Sequence, residues 1–93
     1  MATKTYYKES AIEPILLMAT VLSNCEYEGF IKGNMIKYSL RAPYKGQQET
    51  DTYKARWYGA LLNYLGNAEN YGEENVTLTK EFQRKVESGE IKI

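Results

Sequence analysis

Across residues 30–42, charged side chains fall where a helix ought to be apolar, and this constrains the chain more than any other feature. Wound at about 100° per residue, Phe30, Asn34, Lys37 and Arg41 form one stripe. Tyr27, Ile31, Met35, Tyr38 and Ala42 flank it on one side, and Gly29, Gly33, Ile36 and Leu40 on the other. Glu28, Lys32 and Ser39 lie opposite, as a solvent-facing side requires. Two cations and an amide between two apolar flanks imply either a buried polar network or a site that receives an anion.

A chain of 93 residues makes one small domain with a thin core and leaves no room for a separate catalytic domain. Twelve basic and twelve acidic residues cancel, so electrostatic recognition has to be local rather than driven by a global field. The single cysteine, Cys25, forbids an internal disulfide and reads as a small residue near a helix start. With no histidine, the usual zinc ligand sets and every histidine-based triad are gone. No metal or cofactor is therefore expected. The longest apolar run, residues 15–19, is too short to cross a bilayer, and the N-terminus lacks an apolar signal core. A cytosolic protein without membrane attachment is expected.

The coarse organisation follows from punctuation. Residues 1–12 form a polar arm. Glu13-Pro14 opens a first helix, over about residues 13–22, because proline suits the first helical position and a carboxylate suits the positive end of the dipole. Its side chains are apolar nearly all round, which places it either centrally or in a subunit interface, and makes a homodimer a reasonable expectation. Ser23 or Asn24 caps the second helix, and Ala42-Pro43 stops it. A polar loop containing Gly46 leads to a third helix from Glu49 or Thr50 to about Asn70. Its apolar face reads Ala55, Tyr58, Leu61, Leu62 and Leu65, with Trp57 on one flank and Asp51 and Lys54 one turn earlier. Gly59 and Gly66 within it point to close contact or a bend. A short C-terminal helix follows, capped by Thr77 or Thr79, striped by Leu78, Phe82 and Val86 and ended by Gly89. Ile91 and Ile93 are left either docked or dangling. The fold class is all-α: three main helices plus a short C-terminal helix, with residues 13–71 as the helical core and 72–93 as the last helix and tail.

If the second and third helices are antiparallel neighbours, Arg41, Lys45, Asp51 and Lys54 gather at one end of the hairpin. Asn34, Lys37, Arg41, Lys45 and Lys54 are then the candidate phosphate-binding residues, with Arg41 as the bidentate group and the lysines as point charges. Glu13, Tyr38, Asp51, Trp57 and Tyr58 would support them. The plainer account, and the one small domains more often supply, pairs Asp51 with Arg41 and Glu13 with Lys37 in a structural polar network. No Gly-x-x-x-x-Gly-Lys-Ser/Thr or Gly-x-Gly-x-x-Gly motif occurs, and Glu26, Glu28, Glu73 and Glu74 are not spaced as helical metal clusters are. No catalytic residue is assigned.

Residues 7–65 resemble a family of small phage-encoded proteins, the SaV-like domain of unknown function, some members of which carry the label nucleotide kinase. The likeness rests on Tyr7-Lys8, on Glu13-Pro14, and on a Phe-x-x-Gly-Asn-x-x-Lys-Tyr-x-x-Arg-Ala helix matched by Phe30, Gly33, Asn34, Lys37, Tyr38, Arg41 and Ala42. Lys45 and an Asp-x-x-Lys-Ala-x-Trp-Tyr segment, at Asp51, Lys54, Ala55, Trp57 and Tyr58, continue it. Tyr6 stands where such proteins commonly have histidine, and Thr52 where an aliphatic residue is usual. The resemblance implies a bacteriophage origin and early, host-directed work in the host cytoplasm. The first expectation is accordingly a protein that binds a host protein, as the trigger or target of an abortive-infection defence. The alternative is a nucleotide-binding protein or atypical nucleotide kinase with a basic phosphate site.

Overall fold

The computed structural model describes residues 13–43, 48–67, 70 and 72–93. Four helices account for most of them: α1 (Pro14–Val21), α2 (Asn24–Arg41), α3 (Gln48–Leu65) and α4 (Asn75–Ser88). Among the described residues there is no strand, so the all-α class holds. The expected polar arm, residues 1–12, lies outside them.

α1 starts as proline dictates, with Pro14 at the first helical position and the Glu13 carbonyl accepting from the backbone N–H groups of Leu16 (3.0 Å) and Leu17 (3.1 Å). It is not central. Only Ala19 is buried, Ile15, Met18 and Leu22 pack partly on the core, and Leu17 and Val21 are exposed. Two residues later Ser23 caps α2 in a reciprocal box. Its hydroxyl accepts from Glu26 N–H (3.2 Å) while its own N–H donates to the Glu26 carboxylate (2.9 Å). α2 stops at Arg41, yet Ala42 keeps helical dihedrals (φ −52°, ψ −44°). The stop therefore comes from Pro43, which has no N–H to continue the ladder, rather than from an extended residue before it.

α2 and α3 pack along their length as an antiparallel hairpin. Arg41 faces Asp51, Tyr38 stacks on Tyr58, and Met35 lies beside Gly59. A Cβ at Gly59 would sit 3.2 Å from the Met35 sulfur, so that glycine permits the close approach of the two helices. α3 ends at Leu65, five residues short of the sequence expectation. Gly66 N–H returns to the Leu62 carbonyl (3.1 Å) and the Asn70 side chain donates to the Tyr64 carbonyl (2.8 Å). An asparagine amide thus takes up an end carbonyl that a longer helix would have bonded itself. Gly66 lies past the helix rather than inside it.

α4 begins at Asn75 with Glu74 as its cap residue, ahead of the expected threonines, and at 14 residues it is longer than the eight-residue α1. Thr79 is no cap: it is fully buried, its hydroxyl 2.8 Å from that of Tyr27 on α2. Leu78 and Phe82 enter the core as the stripe required, and Gly89 ends the helix in the left-handed region (φ 87°). Ile91 N–H reaches the Lys85 carbonyl (3.1 Å), and Ile91 and Ile93 dock on the core. The core is one cluster: Ala19, Tyr27, Ile31, Leu61, Leu65, Leu78 and Phe82. Burying side chains such as Ile31, Leu61 and Phe82 contributes about 1.5–3 kcal/mol each. The C-terminal segment is thus integral to the fold, since α4 packs against both α1 and α3.

Candidate functional site

At the loop end of the α2/α3 hairpin, three cations gather about one aromatic ring. The Lys37 ammonium lies 5.4 Å from the Tyr38 ring centroid, the Arg41 guanidinium carbon 5.5 Å and the Lys54 ammonium 5.1 Å. Lys37 and Arg41 arrive there because positions 37, 38 and 41 share one turn of α2, and Lys54 because α3 returns antiparallel. Each such contact is worth about 0.5–1 kcal/mol at exposed sites. The ring therefore offsets part of the repulsion among three like charges.

Tyr38 is itself held from below. It stacks on Tyr58 with centroids 5.9 Å apart and planes 4° from parallel. Trp57 meets Tyr58 edge-on at 5.4 Å and Phe82 at 5.1 Å. An unbroken series of rings therefore runs from the cationic surface to fully buried Phe82, so the position of the site is fixed by the core. Burial, with Tyr38 adding to it, pushes the Tyr58 phenol above its usual range and keeps it neutral.

Asp51, in the first turn of α3, is fully buried beneath this surface. Its Oδ2 lies 3.5 Å from Arg41 Nε, whose side chain is 36% exposed. The pair was legible from sequence. What the sequence did not announce is that neither Asp51 carboxylate oxygen has a hydrogen bond among the described residues. Among the described residues it faces the Arg41 charge, and a carboxylate so buried bears a desolvation cost.

The remaining candidates separate. Asn34 turns its amide back to the Phe30 carbonyl (3.0 Å), a local bond within α2. Glu13 does not meet Lys37: it accepts from Gln83 of α4 at 2.9 Å, and among the described residues no ion pair joins it to a lysine. Lys45 lies outside the described residues. Trp57 and Tyr58 line two adjoining hollows. One, of about 240 Å³, is shared with Tyr38, Tyr53 and Lys54. The other, of about 410 Å³, is shared with Glu13, Pro14 and Ile15. Tyr53 was not singled out from sequence, although its spacing of four from Trp57 puts both on one face of α3. A further hollow of about 550 Å³, lined by Cys25, Glu28, Gly29, Lys32, Leu62 and Gly66, sits at the opposite end of the hairpin.

Ammonium and guanidinium groups supply charge and donors for an oxyanion, while the tyrosine and tryptophan faces supply area for a planar group. The fold and this surface define a small helical domain with one cationic, aromatic face. The chain belongs to the DUF3310 family, described as proteins of unknown function, whose profile matches residues 2–60. No curated protein and no solved structure matches it. Every member of the Tyr38 cluster lies within the matched span, and α4 lies outside it.

Proposed function

We propose that this is a small bacteriophage protein that acts in the host cytoplasm by binding, and that the Tyr38 face receives a phosphate-bearing ligand of nucleotide type. The observation that carries the reading is the convergence of Lys37, Arg41 and Lys54 on one ring in a chain of zero net charge. A local excess of this kind selects anions at one place without attracting them everywhere. The adjoining tyrosine and tryptophan surfaces suit a base beside the phosphate. The resemblance to SaV-like proteins, some labelled nucleotide kinase, agrees with the ligand class and supplies the phage origin. Binding without turnover is expected. Calorimetric titration with a panel of nucleotides and inorganic pyrophosphate tests this. Binding should weaken in Lys37→Ala and Lys54→Ala while melting temperature barely moves, because both lysines are exposed. Absence of heat for every nucleotide and for pyrophosphate, with folded native protein, would refute the reading.

A second reading has its own observation. Leu17 and Val21 on α1, and Ile36 and Leu40 on α2, are exposed apolar pairs one turn apart, between 48% and 68% accessible. Such pairs favour a protein partner. That partner would be a host protein, in a defended host the effector of an abortive-infection system, or a second copy of the chain. Capture of one host protein that is lost in Leu40→Glu but retained in Lys37→Ala would favour this reading over the first.

A further inference from the structure

We infer that Asp51 is a positioning residue of the anion site, acting on the ligand through Arg41; the inference rests on the reading of the Tyr38 face as an anion site. Asp51 is fully buried while the three cations above it reach solvent. It therefore lies behind the recognition surface rather than on it. Its Oδ2 lies against Nε of Arg41, and the same guanidinium lies 5.5 Å from the Tyr38 ring. Arginine carries a long side chain with much rotational freedom, and affinity is gained when that freedom is removed before the ligand arrives. A carboxylate on Nε and a ring beside the guanidinium restrict it in two directions. The carboxylate has no hydrogen bond among the described residues, so the charge on Arg41 is what it faces. A group whose only task was to lock the hairpin would be expected to have its acceptor capacity filled.

The alternative, that Asp51 merely ties α3 to α2, predicts the opposite sign. Removing a buried negative charge from beside Arg41 raises the positive potential of the cluster, so an anion should bind as well or better. If Asp51 positions Arg41, removing that charge weakens binding in spite of the gain in potential. The test is a double-mutant cycle on Asp51→Asn and Arg41→Gln, with inorganic pyrophosphate as the probe and circular dichroism confirming the fold. Asp51→Asn is expected to weaken pyrophosphate binding by about tenfold when Arg41 is present. In the Arg41→Gln background it should weaken nothing further. If Asp51→Asn fails to fold, Arg41→Lys replaces it in the comparison. That variant keeps the charge but has no Nε for Asp51 to hold, and should lose affinity to a similar extent. Equal or tighter binding by Asp51→Asn, or full affinity in Arg41→Lys, overturns the inference and leaves the anion site standing. Failure of the native protein to bind pyrophosphate or any nucleotide removes the site itself, and the inference with it.

Discussion

Replacing Tyr27 by phenylalanine should cost less than replacing its partner Thr79 by valine, and making both changes should cost less than the valine alone. The two hydroxyls are 2.8 Å apart, joining α2 to α4 across the core, and both residues are fully inaccessible to solvent. Tyr27→Phe leaves the Thr79 hydroxyl behind. A threonine inside a helix can turn that group to the carbonyl four residues earlier, so the loss should fall at about 1–2 kcal/mol. Thr79→Val leaves a phenolic hydroxyl in the core without that local recourse, at about 2–3 kcal/mol. With both hydroxyls gone nothing polar remains unpaired, and the double variant should lie within about 1 kcal/mol of the native protein. For a domain of this size each kcal/mol corresponds to roughly 4–8 °C in Tm. Urea and thermal unfolding followed by the fluorescence of Trp57, which touches Phe82 in the same core, would measure all four proteins. Burial raises the Tyr27 phenol and the bond to Thr79 lowers it, so Thr79→Val should also make Tyr27 ionise later. Losses that simply add in the double variant would refute the claim that this pair is one buried polar unit.

Two further outcomes are expected. Gly29 and Gly33 lie inside α2 with nothing within 4 Å of where a Cβ would stand, so alanine at each should stabilise by about 0.5–1 kcal/mol in urea melts. Gly59→Ala should gain little, since the Met35 sulfur has to give way, and destabilisation at Gly29 or Gly33 would mean that something packs there. On the alkaline side, the Tyr27 and Tyr58 phenols are raised above 10.0 in the folded protein, chiefly by burial. The folded state then binds more protons than the unfolded one, so this contribution is complete below pH 10 and is lost as the pH climbs from there toward the folded values. Tyrosinate absorbance should show two phenols ionising together with loss of helicity; early, independent ionisation of all of them would contradict it.

The hairpin and its Arg41–Asp51 pair were legible because both rest on local rules: a 3.6-residue period, a serine cap, a proline stop and a short reversal. Part of the expected cluster of Arg41, Lys45, Asp51 and Lys54 comes together as the reversal requires: Arg41 meets Asp51 and shares the Tyr38 ring with Lys54. Lys37 joins them from the same turn of α2, and Lys45 lies outside the described residues. What escaped were bonds between residues far apart in sequence. Glu13 has Lys37 as a plausible partner on charge alone, but it meets Gln83, 70 positions away, because α4 packs against α1. Thr79 looked like a cap because threonine favours caps, and only the arrival of Tyr27 opposite it explains a hydroxyl in the core. The early end of α3 escaped for a similar reason, since Asn70 is set by its bond back to Tyr64. The exposure of Leu17 and Val21 could not be read from a helix apolar on every side, because periodicity was silent about which side would be covered.

The family likeness stops at residue 60, inside α3 and one position before fully buried Leu61. Tyr27 and Ile31, within that span, owe their burial to a cluster completed by Leu61, Leu65, Leu78 and Phe82, all beyond it. Inheritance and architecture therefore divide this molecule at different places. The shared stretch holds the Tyr38 cluster but is only half of a core; the remainder serves as a wall whose duty is to present apolar volume at the right spots. A wall can be rebuilt in other materials. A foreign helix that restores the bulk of Leu78 and Phe82 would keep Trp57, and through it Tyr38, where they stand, so the helix that closes this structure could be exchanged without moving the Tyr38 face.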